Sequence, residues 1–306
     1  MHLGIYVISI HSRLRQMQRR VWESAFPYVR RGAHMWFVVP EKMGADTDVL
    51  ATGTRSCIHN TISALRDARK RDYRHIVLTD DDVFLHVPRL IDEVSRLPYT
   101  QAVMYGQIGW AAGWDERRNR HYGYSNDNMT ALVGQWHAEM TRQGPFPFAY
   151  GFLIALSRPL AGLVLDEPET RRVLQRARRS SHRCAPQSDA ALGYLIARTE
   201  EVPIIYDVSS SGIVHFWRGL RTHQDVPDRL VVLHKATSWK LHFEWALAIL
   251  RNQTGKYEYR HPYSCGPHKI RCGMAACDRL IGRYKGGMRC SADFARQTRF
   301  IRPKVL

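Results

Sequence analysis

Three carboxylates, Asp80, Asp81 and Asp82, stand in a row inside the stretch HIVLTDDDVFLHV, residues 75–87. The rest of that stretch reads as buried strand. Adjacent like charges repel, and burying them without partners is costly. A divalent cation among the three makes the cluster tolerable, and hard oxygen donors suit Mg²⁺ or Mn²⁺. Such an ion keeps open coordination positions, which substrate phosphates commonly fill. The triplet therefore points to a metal–diphosphate ligand. A competing reading puts the acids at the start of the helical pattern VFLHVPRLI, where they would favour the helix dipole. That accounts for one or two acids on a surface, and poorly for three between apolar flanks.

The elements around the triplet alternate in type. Residues 3–10 read as a first strand, SRLRQMQRRVWESAF as a helix, and HMWFVVP as a second strand stopped by Pro40. Residues 56–71 predict a helix with Ser56 as a possible cap, HIVLT a third strand, VPRLIDEVSRL a helix with Pro88 in its first turn, and QAVMYGQI a fourth strand. This alternation predicts an α/β layered fold with a mostly parallel central sheet flanked by helices. In such sheets ligands bind beyond the carboxyl ends of the strands, which is where the triplet falls. Residues 109–145, rich in Trp, Gly, Arg and Asn, read as loops covering a site. FAYGFLIALSRPLAGLVL reads as strand or turn into helix, SDAALGYLIARTE as helix, VPIIYDV as strand and SGIVHFWRG as loop or strand. From about residue 231 the character changes to an aromatic helix, SWKLHFEWALAILRN, and a tail with four of the six cysteines. The expected division is 1–230 and 231–306.

Composition narrows the class. The 306 residues are 44% apolar and 24% charged, as in a globular protein, and no window approaches 18 consecutive apolar residues. Net charge is +17, but only eight of the 45 basic residues are lysine and the arginines are scattered, so nucleic-acid binding is not expected. No C-x-x-C occurs, so disulfides in an oxidising lumen suit the cysteines better than zinc does, with a reduced cytosolic protein as the other reading. No secretory signal is visible: either the protein is cytosolic, or a leader or anchor precedes this sequence.

VLTDDDVFLHVPRLI resembles the Asp-Asp-Asp segment of the family 31 glycosyltransferases, the β1,3-galactosyl-, N-acetylglucosaminyl- and Fringe-like transferases. Other segments follow in the family's order: Arg15-x-x-x-Arg19-x-x-Trp22, with Val21 where threonine is usual; PFAYGFLIALSRPLA; QSDAALGYLI; and SGIVHFWRG. The resemblance covers roughly residues 3–220. It implies a GT-A-type nucleotide-sugar-binding fold and inverting transfer of a sugar from a UDP-sugar, with Mn²⁺ or Mg²⁺, to a glycan or glycoprotein hydroxyl. It also implies a Golgi setting, reached through an N-terminal membrane anchor absent from this chain.

The resemblance implies roles as well. Asp82, Asp80 and His215 would hold the metal, with His234 as a rival histidine. Asp80, Asp81, Arg15, Arg19 and Gly151 would face the nucleotide sugar; the two arginines could pair instead with buried acids. Asp189 would be the general base that takes the proton of the attacking hydroxyl, and its alternative role is a helix cap. Two departures stand out. Leu153 replaces the second glycine of Gly-x-Gly, which either narrows the donor pocket or marks a shifted alignment, and Ser188 replaces an acid before the base. They support an alternative reading, a GT-A-fold protein that binds UDP or carbohydrate with impaired turnover. A glycosidase using paired carboxylates is a further alternative, one that needs neither nucleotide nor metal.

Overall fold

The computed structural model describes residues 3–9, 15–16, 18–19, 32–40, 48–115, 120–122, 146–179, 188–201, 203–208, 214–216, 230–234 and 299–300. In chain order the strands are β1 (Leu3–Ile8), β2 (Ala33–Val39), β3 (Val49–Ala51), β4 (His75–Asp80), β5 (Val83–Leu85), β6 (Val103–Asp115), β7 (Arg120–Tyr122), β8 (Phe146–Ser157), β9 (Ile204–Asp207), β10 (Val214–Phe216), β11 (Val232–His234) and β12 (Arg299–Phe300). The helices are α1 (Cys57–Lys70), α2 (Val87–Ser95), α3 (Arg158–Asp166), α4 (Pro168–Arg179) and α5 (Ser188–Arg198).

The main sheet runs β12-β9-β6-β8-β4-β1-β2-β3, with β7 paired to β6. Its β1, β2, β3 and β4 are mutually parallel, as are β6, β9 and β12, while β8 runs antiparallel between β4 and β6. This is the mostly parallel, helix-flanked α/β arrangement expected from the alternation. β1 is apolar and buried at every position because both sheet faces are covered. On one face, α1, α3, α4 and α5 contribute Ile58, Ile62, Leu65, Leu160, Val173 and Leu195 to the core. On the other, α2 contributes Val87, Leu90 and Val94, and a second sheet, β10-β11-β5, contributes Phe84 and Leu233. Strands from beyond residue 230 thus enter both sheets.

Local signals explain most boundaries. Pro88 opens α2, whose first turn is capped by the His86 ring accepting from Arg89 N at 3.4 Å. Ser157 ends β8 and caps α3 by accepting from Leu160 N at 3.4 Å. Ser56 holds the N-cap position of α1, but its side chain makes no capping bond. One expectation fails: residues 109–115 and 120–122 are strand, not loop, because β6 continues to Asp115 and turns back through β7. Trp136 and the aromatic helix expected at 238–252 lie outside the described residues, and no helix among those described is long and apolar enough to cross a membrane. Cys57 is disulfide-bonded, and the other five cysteines lie outside the described residues.

Candidate active site

The acidic triplet sits where β4 ends and the chain turns into β5. The turn is pinned from beneath: the Gln18 amide donates to the carbonyls of Asp81, 3.1 Å, and Val83, 3.0 Å. Alternation along the chain then separates the acids. Asp81 is buried and accepts from the Ser9 hydroxyl at 3.3 Å, at the carboxyl end of β1. Asp80 and Asp82 point the other way, and with His234 they offer ligand atoms that all lie within 4.8 Å of one another.

His234 arrives there through the small sheet. Antiparallel pairing of β11 with β5 puts it opposite Val83, next to Asp82, and its Nε2 lies 3.6 Å from Asp82 Oδ1. The approach of β11 is held by His86 N donating to the Val231 carbonyl, 2.8 Å, and by Arg89 donating to the Leu230 carbonyl, 3.0 Å. The Phe152 ring supports the imidazole at 4.7 Å between centroids. His215 lies on β10 in register with Leu233, one position before the partner of His234, and its side chain is outside the described residues. Among the described residues, the histidine brought to Asp80 and Asp82 is the rival candidate, His234.

On the far side of Asp80 lies β8. Thr79 donates to the Phe152 carbonyl at 2.9 Å, which carries the two strands side by side up to the site. A Cβ at Gly151 would stand 2.9 Å from Asp80 Oδ2, so glycine leaves the volume that the carboxylate fills. Gly151 N donates to Asp189 Oδ2 at 3.4 Å, and Asp189 Oδ1 also accepts from Ala190 N at 2.8 Å. Asp189 therefore sits in the first turn of α5, buried, and turned toward Gly151 and Asp80. Burial above all, and then the charges of Asp82, Asp189 and Asp81, push the Asp80 carboxyl up to about 8. Among the described residues, no hydrogen bond or ion pair compensates Asp80.

The other sequence candidates divide. Arg19 pairs through two nitrogens with Asp48 and lies over the Phe37 ring, 5.1 Å from guanidinium carbon to centroid, so its acid partner is protein. Arg15, one helical turn away, is buried. Leu153 faces the core: it is 0% exposed to solvent, inside the apolar cluster that α2 shares. Gly106 leaves room for the Leu153 backbone, since a Cβ there would meet the Leu153 carbonyl oxygen at 2.3 Å. Sequence reasoning passed over Ser9, Gln18, Tyr150 and Asp207. Asp207 ends β9 at the same sheet edge and accepts from Ile108 N at 3.1 Å. A carboxylate just past an apolar strand was its available signal, the same signal that singled out the triplet.

No family model matches the chain, and no curated protein matches it. Among solved structures it is similar to a galactosyltransferase, LgtC, in complex with donor and acceptor sugar analogues. That match has a TM-score of 0.41 at 9% identity and covers 84% of this chain and 98% of the other. It is also similar to a glycosyltransferase involved in glycosylating the major capsid of PBCV-1, with a TM-score of 0.42 at 9% identity over 81% of this chain and 100% of the other. These are remote likenesses, and the residues of this chain carry the functional reading below.

Proposed function

We propose that this chain is a metal-dependent glycosyltransferase that moves a sugar from a UDP-sugar to a glycan hydroxyl with inversion, forming a β1,3 linkage. The observation that carries the reading is one constellation at the carboxyl edge of the sheet: Asp80, Asp82 and His234 around a common point, with Asp189 turned toward the same Asp80 carboxylate. Two carboxylates and an imidazole suit Mn²⁺ or Mg²⁺. Asp80 supports that fit, because crowded acids that raise one another's proton affinity are relieved by a cation. The bound metal would supply charge neutralisation for the diphosphate leaving group.

The chain's own residues do the rest. Asp82 and His234 hold their side of the cation site, and Gln18 keeps the turn that carries Asp82 in place. Gly151 orients Asp189 through its N–H. Asp189 takes the proton from the attacking hydroxyl as the new bond forms, and no covalent intermediate is needed. The Cys57 disulfide favours an oxidising compartment, which agrees with the lumenal setting that the family resemblance implies.

The test is a donor screen of UDP-sugars with and without Mn²⁺, read by ligand-induced thermal shift and released UDP. Metal-dependent stabilisation by a UDP-sugar, with UDP release once a glycan acceptor is added, is the expected result. Nucleotide binding without transfer to any acceptor would favour the impaired binding protein, and no metal-dependent binding would end the reading.

A further inference from the structure

α1 follows β3 and starts at the carboxyl edge of the main sheet. The first bond inside the helix is Asn60 N donating to the Ser56 carbonyl at 3.0 Å. The amides of Cys57, Ile58 and His59 come before it and have no acceptor within the helix. Such a turn is ordinarily closed by the N-cap side chain. Here the N-cap is Ser56, whose hydroxyl makes no capping bond and has no other hydrogen-bond partner. Ser56 is only 9% exposed, so solvent reaches it poorly.

His59 adds a second buried donor without an acceptor. Its Nε2 accepts from Arg178 Nε of α4 at 3.2 Å. A ring nitrogen that accepts carries no proton, so in the neutral imidazole the proton is on Nδ1. Nδ1 has no partner, and the residue is 7% exposed. Burial first, and then the charges of Arg178 and Arg66, hold the imidazole below its ordinary value, in the neutral form that this tautomer requires. Side chains on a helix tilt toward its N-terminus, and positions three apart share a face. His59, the third helical residue, therefore stands over the first turn on the side of Ser56, and Nδ1 is the ring nitrogen nearer its own backbone. Arg178 itself is exposed, and among the described residues no acid pairs with it.

We infer that the N-terminus of α1 is a phosphate site, with the Ser56 hydroxyl, the His59 Nδ1–H and the first-turn amides donating to the oxyanion and the Arg178 guanidinium supplying charge. Helix N-termini attract anions through their amides and dipole, and the two orphaned side chains add donors where the turn has none of its own to spare. A cation would meet the positive end of the helix and Arg178 together. The group bound is a phosphate, either free or carried by a sugar. The site uses no residue of the cation cluster and does not depend on the transferase reading.

The test is calorimetric titration of the full chain with inorganic phosphate and, in a second arm, with glucose 6-phosphate. Both are run in chelator at fixed ionic strength, so that no metal bridges phosphate to Asp80 and Asp82. Saturable binding of one phosphate per chain is expected. Ser56→Ala and Arg178→Gln should each weaken it about tenfold, the worth of one hydrogen bond to a charged group. Ser56→Ala should keep the wild-type unfolding midpoint, because the hydroxyl it removes caps nothing. Arg172→Gln, on the same helix but paired with Glu169 at 3.1 Å, should bind as the wild type does. Tighter binding of glucose 6-phosphate assigns the site to a phosphorylated sugar, and equal binding assigns it to free phosphate. No binding in either arm, binding that Ser56→Ala and Arg178→Gln leave unchanged, or an equal loss in Arg172→Gln overturns the site. UDP binding with Mn²⁺ is measured separately, so the phosphate site and the transferase reading fail independently.

Discussion

Two polar regions at different places on the central sheet treat their aspartates in opposite ways. In the last turn of α1, Asp67 accepts from the buried Tyr6 hydroxyl at 2.7 Å and from Arg71 at 2.6 Å. Arg71 lies over Trp36, 3.6 Å from guanidinium carbon to ring centroid, and the Trp36 indole donates to the Tyr73 hydroxyl at 2.9 Å. Each group there has a partner of opposite or complementary character. At the end of β4, Asp80 meets Asp82, Asp189 and Asp81, and is pushed up to about 8. The same fold that supplies two donors to Asp67 sets like charges around Asp80. Polar groups arranged for stability are satisfied internally; those arranged for chemistry are left to be satisfied by something that binds.

The sharpest way to break this comparison is at Asp189. Asp189→Asn should keep metal-dependent UDP binding and lower the transfer rate by about 10²–10⁴, the range that a general base supplies. Single-turnover kinetics checks it, and an unchanged rate ends the candidacy of Asp189 as base. Next is His234→Ala, which removes a direct ligand. Metal affinity should fall by more than the ~10–100-fold that an outer hydrogen-bonding partner costs. A Mn²⁺ titration in the presence of UDP measures this; if His234→Ala binds normally while His215→Ala does not, the ligand is His215.

The stability region should respond in the opposite sense. Asp67→Ala leaves the Tyr6 hydroxyl buried without its acceptor and should cost about 1–3 kcal/mol in denaturant unfolding. UDP and Mn²⁺ binding by the folded fraction should not change; a matched loss of binding would show that the two regions are not separate.

A separate prediction concerns pH dependence. An unfolded aspartate titrates at about 4, whereas Asp80 in the folded chain titrates at about 8. Across that window the native state holds a proton that the unfolded state has lost, so Asp80 makes stability fall as pH rises. Denaturant unfolding in chelator should show this slope in the wild type and lose it in Asp80→Asn. Equal slopes would mean that Asp80 is not perturbed.

The sheet was readable because its strands are apolar runs of the length and alternation with helices that parallel sheets require, and β1, β2 and β4 fall within a residue or two of expectation. The triplet was readable because acids between apolar flanks need a reason. His234 was harder. Its place depends on an antiparallel register with β5, about 150 residues earlier in the chain, and sequence spacing carries no information about such pairing. The far half of β6 was misread because Trp, Gly and Ala in GWAAGWD show no two-residue alternation. α4 was passed over because five arginines surround its narrow stripe of Thr170, Val173, Leu174 and Ala177, although Pro168 and Glu169 mark a helix start. The burial of Leu153 was not legible because it depends on what packs against its face of the sheet, here the apolar cluster that α2 shares.

The central claim is that Asp80, Asp82 and a histidine share one divalent cation with a nucleotide sugar. Electron paramagnetic resonance of Mn²⁺ titrated with the protein, with and without UDP, tests it most directly. The account predicts that the free-Mn²⁺ signal falls to a stoichiometry of one ion per chain when UDP is present, and that Asp82→Ala abolishes this while remaining folded. A free-Mn²⁺ signal that the wild-type protein leaves untouched, with or without UDP, or that Asp82→Ala depletes equally well, would contradict it.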